Sequence, residues 1–199
     1  MKPGFCYVAE RAEPSEAAER IIASFSRMGI GLVNPLTRRI TELAEDGEQV
    51  DTTEADLLQG AATRPELSFQ LWFSSDTDVS CGFRQVDRDL VSHGYSLDGL
   101  DAKERERLMR WAVDYFREAA AEGTAVLLVV DPVGVTADVD WDAMVRQRIP
   151  FPAVLPAILG LPVTWMRHLG DRSGYSRERI GDVELLRSQS LAGDETLHD

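Results

Sequence analysis

Apolar residues recur along this chain at two spacings, and the spacings predict its elements. Phe5 to Ala9 reads as a short strand. Ala18, Ile21, Ile22, Phe25 and Met28 return every three or four residues, which puts them on one face of a helix. Ser15 is the expected N-cap of that helix, and Gly29 its stop, because glycine enters the left-handed region without a side-chain penalty. Further on, Leu67, Phe69, Leu71 and Phe73 alternate with Ser68, Gln70 and Trp72. Val79, Cys81 and Phe83 then alternate with Ser80, Gly82 and Arg84. A period of two marks a strand with one apolar face, and Ser74 to Asp78 supplies turn residues, so the pair reads as a hairpin.

The longest helix is predicted from about Ala102 to Ala121. Asp101 and Glu104 have the spacing of a capping box. Leu108, Trp111, Ala112, Tyr115 and Ala119 form its apolar stripe, which Met109, Val113, Phe116 and Ala120 widen. Ala125 to Val130 is apolar without alternation, as in a strand buried on both faces. The order strand, helix, strand, strand, helix, strand predicts an α+β protein. Its expected form is a ferredoxin-like βαββαβ sandwich, an antiparallel sheet with the helices on one face. Residues 1–135 would form that core, with an insertion at 30–66, and residues 136–199 a C-terminal extension packed on it. Ile30 to Leu43 has room for one or two strands, with a turn at Pro35. In the extension, Asp140 is placed to cap a short helix, with Val139 and Met144 as its hydrophobic staple. A weak segment lies around Val183 to Leu186, and a polar tail runs from Ser188 to Asp199.

Composition narrows the partners. The chain has 199 residues, of which 44% are hydrophobic and 28% charged, enough to fill a core unaided. Its formal charge of −13 repels phosphate backbones and anionic lipid, so the expected partner is another protein, basic in character, and neither nucleic acid nor membrane. Residues 149–166 carry no charge, yet Pro150, Pro152, Pro156 and Pro162 interrupt them. A buried irregular segment is expected there instead of a spanning helix. No signal-peptide core is read after Met1, so the cytoplasm is the expected compartment. Of the 21 basic residues only Lys2 and Lys103 are lysines, a bias read, with the abundant alanine, as the codon usage of a GC-rich bacterial genome.

No cofactor or metal site is expected. Cys6 and Cys81 make no disulfide framework, and His93, His168 and His198 have no zinc spacing. Both cysteines are expected as reduced, buried neighbours on adjacent strands. Asp138, Asp140 and Asp142 have the spacing that opens a calcium loop, but Ala143 and Ile149 stand where such a loop needs glycine and glutamate. Gly29-Ile30-Gly31 follows a helix, whereas a dinucleotide fingerprint follows a strand. Asp131, at the end of a buried strand, resembles the opening of the haloacid-dehalogenase-type phosphatases. Val133 occupies the place of their general acid, so Asp131 is read as capping a turn.

What remains is surface. If Cys6 and Val8 face the helices, Phe5, Tyr7, Gln70, Trp72 and Arg84 share the opposite sheet face. Leaving a large apolar side chain in water forfeits about 1.5–3 kcal/mol, so that face needs a cover, from residues 149–165 or from another chain. A run of carboxylates, Glu42, Glu45, Asp46, Glu48, Asp51, Glu54 and Asp56, offers steering of a basic partner and otherwise forms a solvated loop. The leading expectation is therefore a non-catalytic acidic interaction module, immunity-like in that it could neutralise a basic toxin. The alternatives are a small hydrolase, built around Cys81 with His93 or around Asp131, His93 and Arg84, and a homo-oligomeric structural protein, with a homodimer its simplest form.

Overall fold

The structure is a computed structural model that describes residues 2–147 and 150–192. Strand β1 (Phe5–Arg11) leads into helix α1 (Pro14–Arg27). The hairpin β2 (Ile40–Leu43) and β3 (Gln49–Thr52) precedes α2 (Glu54–Thr63). Next come β4 (Glu66–Trp72), β5 (Asp78–Asp87) and β6 (Leu90–Ser96), a three-stranded meander. Helix α3 (Ala102–Ala121) crosses to β7 (Ala125–Asp131). The remainder is α4 (Trp141–Gln147), β8 (Ile158–Pro162), a 3-10 helix (Val163–His168), β9 (Tyr175–Ile180), β10 (Val183–Ser188) and the short α5 (Gln189–Ala192). Residues 193–199, where most of the expected polar tail falls, lie outside the described residues, as does Ile149.

All ten strands join one open antiparallel sheet in the order β3-β2-β4-β5-β6-β1-β7-β8-β10-β9. The protein is thus α+β, as expected, but the sheet exceeds the four strands of a ferredoxin-like sandwich. Part of that arrangement is present: β6 and β7 both run antiparallel to β1, which lies between them, and α3 makes the crossover. The difference is β6. Ser92-His93-Gly94, whose composition would equally suit a loop, occupies the middle of this central strand. One consequence concerns the cysteines. Cys6 and Cys81 are free and fully buried, but each pairs with Tyr95 of β6, so their strands are not adjacent.

Local rules explain the helix ends. Asp101 and Glu104 form the reciprocal capping box, each side chain accepting from the other's backbone N–H at 2.8–2.9 Å. α1 begins two residues earlier than expected: Pro14 stands at its first position, where the missing N–H costs nothing, and Glu13, not Ser15, is the cap. Gly29 follows the helix with φ +72°.

Helices lie on both faces, not on one. Beneath α1, α2 and α3 sits the larger core, centred on Phe25 and Trp111, whose rings stack at 3.8 Å between centroids. β1, β7, β8 and β10 are apolar toward the other side as well: Tyr7, Ala9, Leu127, Val129, Leu159 and Leu186 make a second core with Trp141 and Met144 of α4, Met166 of the 3-10 helix and Leu169. Strands apolar on both faces require two covers, and residues 141–169 supply the second. Among the described residues, no helix is long and apolar enough to cross a membrane.

Candidate functional site

The second cover stops short. It roofs the sheet from β10 as far as β5, where Asp142 of α4 meets Arg84, and its core holds no side chain of β4. At the boundary is a cavity of about 670 Å3. Phe5, Tyr7 and Gly94 line it from the sheet, Trp141, Asp142 and Arg146 from α4, and Arg84 from β5. Three of the five aromatic and polar residues placed on this face by alternation therefore converge. Gln70 and Trp72 share the face but lie on β4 and do not line the cavity.

Asp142 joins α4 to the sheet. Its Oδ1 accepts from the Tyr7 hydroxyl at 2.8 Å and the Ser92 hydroxyl at 2.7 Å, and its Oδ2 from Arg84 at 3.3 Å. Burial and then the neighbouring carboxylate hold the Tyr7 phenol well above its ordinary pKa. Arg84 also donates to Glu66 at 3.0 Å. Asp142→Ala would leave the buried hydroxyls of Tyr7 and Ser92 without this acceptor, and hydrogen bonds to charged groups contribute about 1.5–3 kcal/mol each. Urea denaturation of this variant is expected to show a loss of about 2–3 kcal/mol, with the far-ultraviolet dichroism unchanged.

Gly82 and Gly94 face each other across β5 and β6. The cost of glycine inside a strand is roughly 0.5–1 kcal/mol relative to alanine, so its presence twice in one pair needs a reason. Neither has a positive φ, and a Cβ added at Gly82 or Gly94 would meet no atom nearer than 4.0 or 3.8 Å. The fold would accept a side chain at both. Three further atoms on this side are buried without a hydrogen-bond partner in the protein: Gln70 Oε1 and the indole nitrogens of Trp72 and Trp141.

The acidic run forms the β2–β3 hairpin and the start of α2, beside β4 at one end of the sheet. Glu42 is paired with Arg64, and Asp51 with Arg39 at 2.7 Å. Asp46 accepts from the Glu48 backbone in the turn, and Asp56 from the Thr53 hydroxyl at the helix cap. Glu45, Asp46, Glu48, Glu54 and Asp56 make no ion pair among the described residues. Five carboxylates thus stay available to an incoming charge.

The other candidate residues do not assemble. His93 and Cys81 are both fully buried on the side of α1 and α3. Burial pushes the Cys81 thiol up to about 12, and burial followed by the Arg20 charge brings His93 down to about 3. A protonated thiol with no route to solvent is a poor nucleophile. Asp131 caps its turn, accepting from the Thr136 backbone at 2.6 Å and hydroxyl at 2.7 Å. It lies on β7, Arg84 is exposed on β5, and His93 points to the opposite sheet face, so the three share no cavity. Asp138 pairs with Lys2, Asp140 accepts from the Ala143 backbone at 2.8 Å, and Asp142 turns to the sheet: three carboxylates with three separate tasks. Among the described residues no three His, Cys, Asp or Glu side chains are grouped to hold a metal. No family model, curated protein or solved structure matches this chain.

Proposed function

We propose that this chain is a non-catalytic interaction module that binds a basic protein on the half-uncovered sheet face. One observation carries the reading: Phe5, Tyr7 and Arg84 gather at a cavity, and Trp72, partly exposed on β4, shares their sheet face. Aromatic and arginine side chains dominate the energetics of protein interfaces when they meet in one desolvated patch. The acidic hairpin beside β4 supplies the second ingredient. Unpaired carboxylates next to a docking face raise the encounter rate of a positively charged partner and add salt dependence. Neutralisation of a toxin by occlusion is one use of such a module, and cytoplasmic placement accords with its two reduced cysteines.

The experiment is retention of host proteins on the immobilised chain, wild type against Trp72→Ala. A basic protein held by the wild type is expected to bind the variant at least tenfold more weakly, and its association rate to fall as salt is raised. Equal retention by both, or an association rate flat with salt, overturns the reading. A wild-type dimer in light scattering that Trp72→Ala dissolves overturns it also, because a second copy would then be the cover.

A further inference from the structure

We propose that the partner presents an α-helix, laid against the Gly82–Gly94 floor alongside α4, with one large apolar side chain inserted into the cavity between Phe5, Tyr7 and Trp141. This rests on the interaction reading above and narrows it to a binding mode. The first support is the glycine pair. Glycine inside a strand marks a bulge, a tight bend or the close approach of another group. The Gly82–Gly94 pairing is regular, without positive φ, and the protein places nothing within 3.8 Å of either missing side chain. The group that needs this room comes from outside the described chain.

The second support is independent of the first. Trp141 is only 5% exposed and lines the cavity, yet its indole N–H has no acceptor in the protein. Gln70, also 5% exposed, leaves its amide oxygen without a donor on the same face. Buried polar groups are nearly always paired, so a donor and an acceptor left without partners on one sheet face mark it as a face the described residues do not complete by themselves.

A helix suits this surface better than an extended segment. The backbone groups of β5 are already paired with β4 and β6, so the face offers no free ladder for β-addition. A helix satisfies its own backbone and needs only an apolar stripe against the sheet. The layer it would join is half built, since α4 and the 3-10 helix already cover the same face from β1 onward. Charge sets its character. Glu66 is held by Arg84 and Arg146 also lines the cavity, so the excess negative charge lies on the side of the acidic hairpin beside β4, and the flank of the helix turned to that hairpin should carry lysine or arginine.

The test uses a displayed library of 18-residue, helix-templated peptides selected on the full chain and counter-selected on Gly82→Val/Gly94→Val. A Cβ has room at both positions and valine favours strands, so the double variant should melt no lower than the wild type. Enriched peptides should be net positive, should bind the double variant at least tenfold more weakly, and should shift the Gly82, Gly94 and Trp141 indole resonances. Should the valine pair fold poorly, Gly82→Ala/Gly94→Ala serves as the counter-selected protein with the same expectation. Enrichment of acidic peptides, equal binding to the filled variant, or no enrichment overturns the helix mode. A host protein lost on Trp72→Ala but retained on the filled variant overturns this mode alone. Failure of the wild type to retain any basic protein removes the underlying reading.

Discussion

Arg20→Ala is expected to destabilise the fold by about 3 kcal/mol at neutral pH, with the deficit shrinking as pH falls. Glu10, at an irregularity of β1 next to Ala9, is fully buried under α1 and α3. Its carboxylate accepts from the Tyr115 hydroxyl at 2.5 Å and from Arg20 at 2.6 Å, and Arg20 also donates to the Tyr115 oxygen at 3.1 Å. Removing one member of a buried ion pair typically costs 3–5 kcal/mol, because the other charge is left in a low-dielectric site. Arg20 is 28% exposed, which places the loss near the lower end of that range. Burial already raises the Glu10 pKa, and the Tyr115 hydrogen bond and the Arg20 charge hold the rise in check. Without Arg20 the carboxyl is raised further and takes a proton earlier as pH falls. The neutral form tolerates the site, so the deficit must narrow below that new pKa. Urea titrations of both proteins at several pH values measure this directly; a pH-independent deficit would show that Arg20 acts through packing alone.

The same buried cluster shows where sequence reasoning reached its limit. α3 was legible to the residue, because its stripe, capping box and terminal glycine agree. β1, β4, β5 and β7 were legible through alternation or continuous apolarity. β6 was not, although Val91, His93 and Tyr95 alternate with Ser92, Gly94 and Ser96. One side of that strand carries the polar-tipped His93 and Tyr95, and the side toward α4 and the cavity carries serine and glycine, a composition that resembles a loop. Its burial becomes intelligible only when Glu10, Trp111 and Tyr115 are known to surround it. β2, β3 and β9 are short or charged strands at the two ends of the sheet, where backbone pairing and not apolar burial decides the conformation.

The candidate site divides along the same line. Phe5, Tyr7 and Arg84 could be placed on one face by counting in twos. Asp142, Ser92 and Trp141 could not, since their roles depend on where α4 lands after a turn. The glycine pair was visible as residues but not as a pair, because β5 and β6 had not been paired. A face with small side chains beside a face crowded with aromatics is therefore a signal that appears only once register is known.

His93→Gln is expected to remove most of the acid sensitivity of the fold. The imidazole is fully buried, shares a 2.9 Å hydrogen bond through Nδ1 with the Tyr95 hydroxyl, and lies 3.9 Å from a Glu10 oxygen through Nε2. Burial, then the positive charge of Arg20, lowers its pKa to about 3 from the ordinary 6.5. Between those two values the unfolded chain binds a proton that the folded chain does not, so stability is complete above about pH 6.5 and falls as the solution is acidified. The slope is about 1.4 kcal/mol per pH unit for one proton. Glu10 acts in the opposite sense: its raised pKa lets the folded state take a proton first as pH approaches the usual carboxyl range, which returns stability. The difference between wild type and His93→Gln, measured by urea unfolding from pH 7 to pH 4, isolates the imidazole. Parallel curves over that span would mean that His93 is protonated in the folded protein. A sloping difference would mean that it stays neutral beneath Trp111 and Tyr115, on the side of the sheet away from the cavity, where it contributes packing and one hydrogen bond to the sheet that floors the cavity.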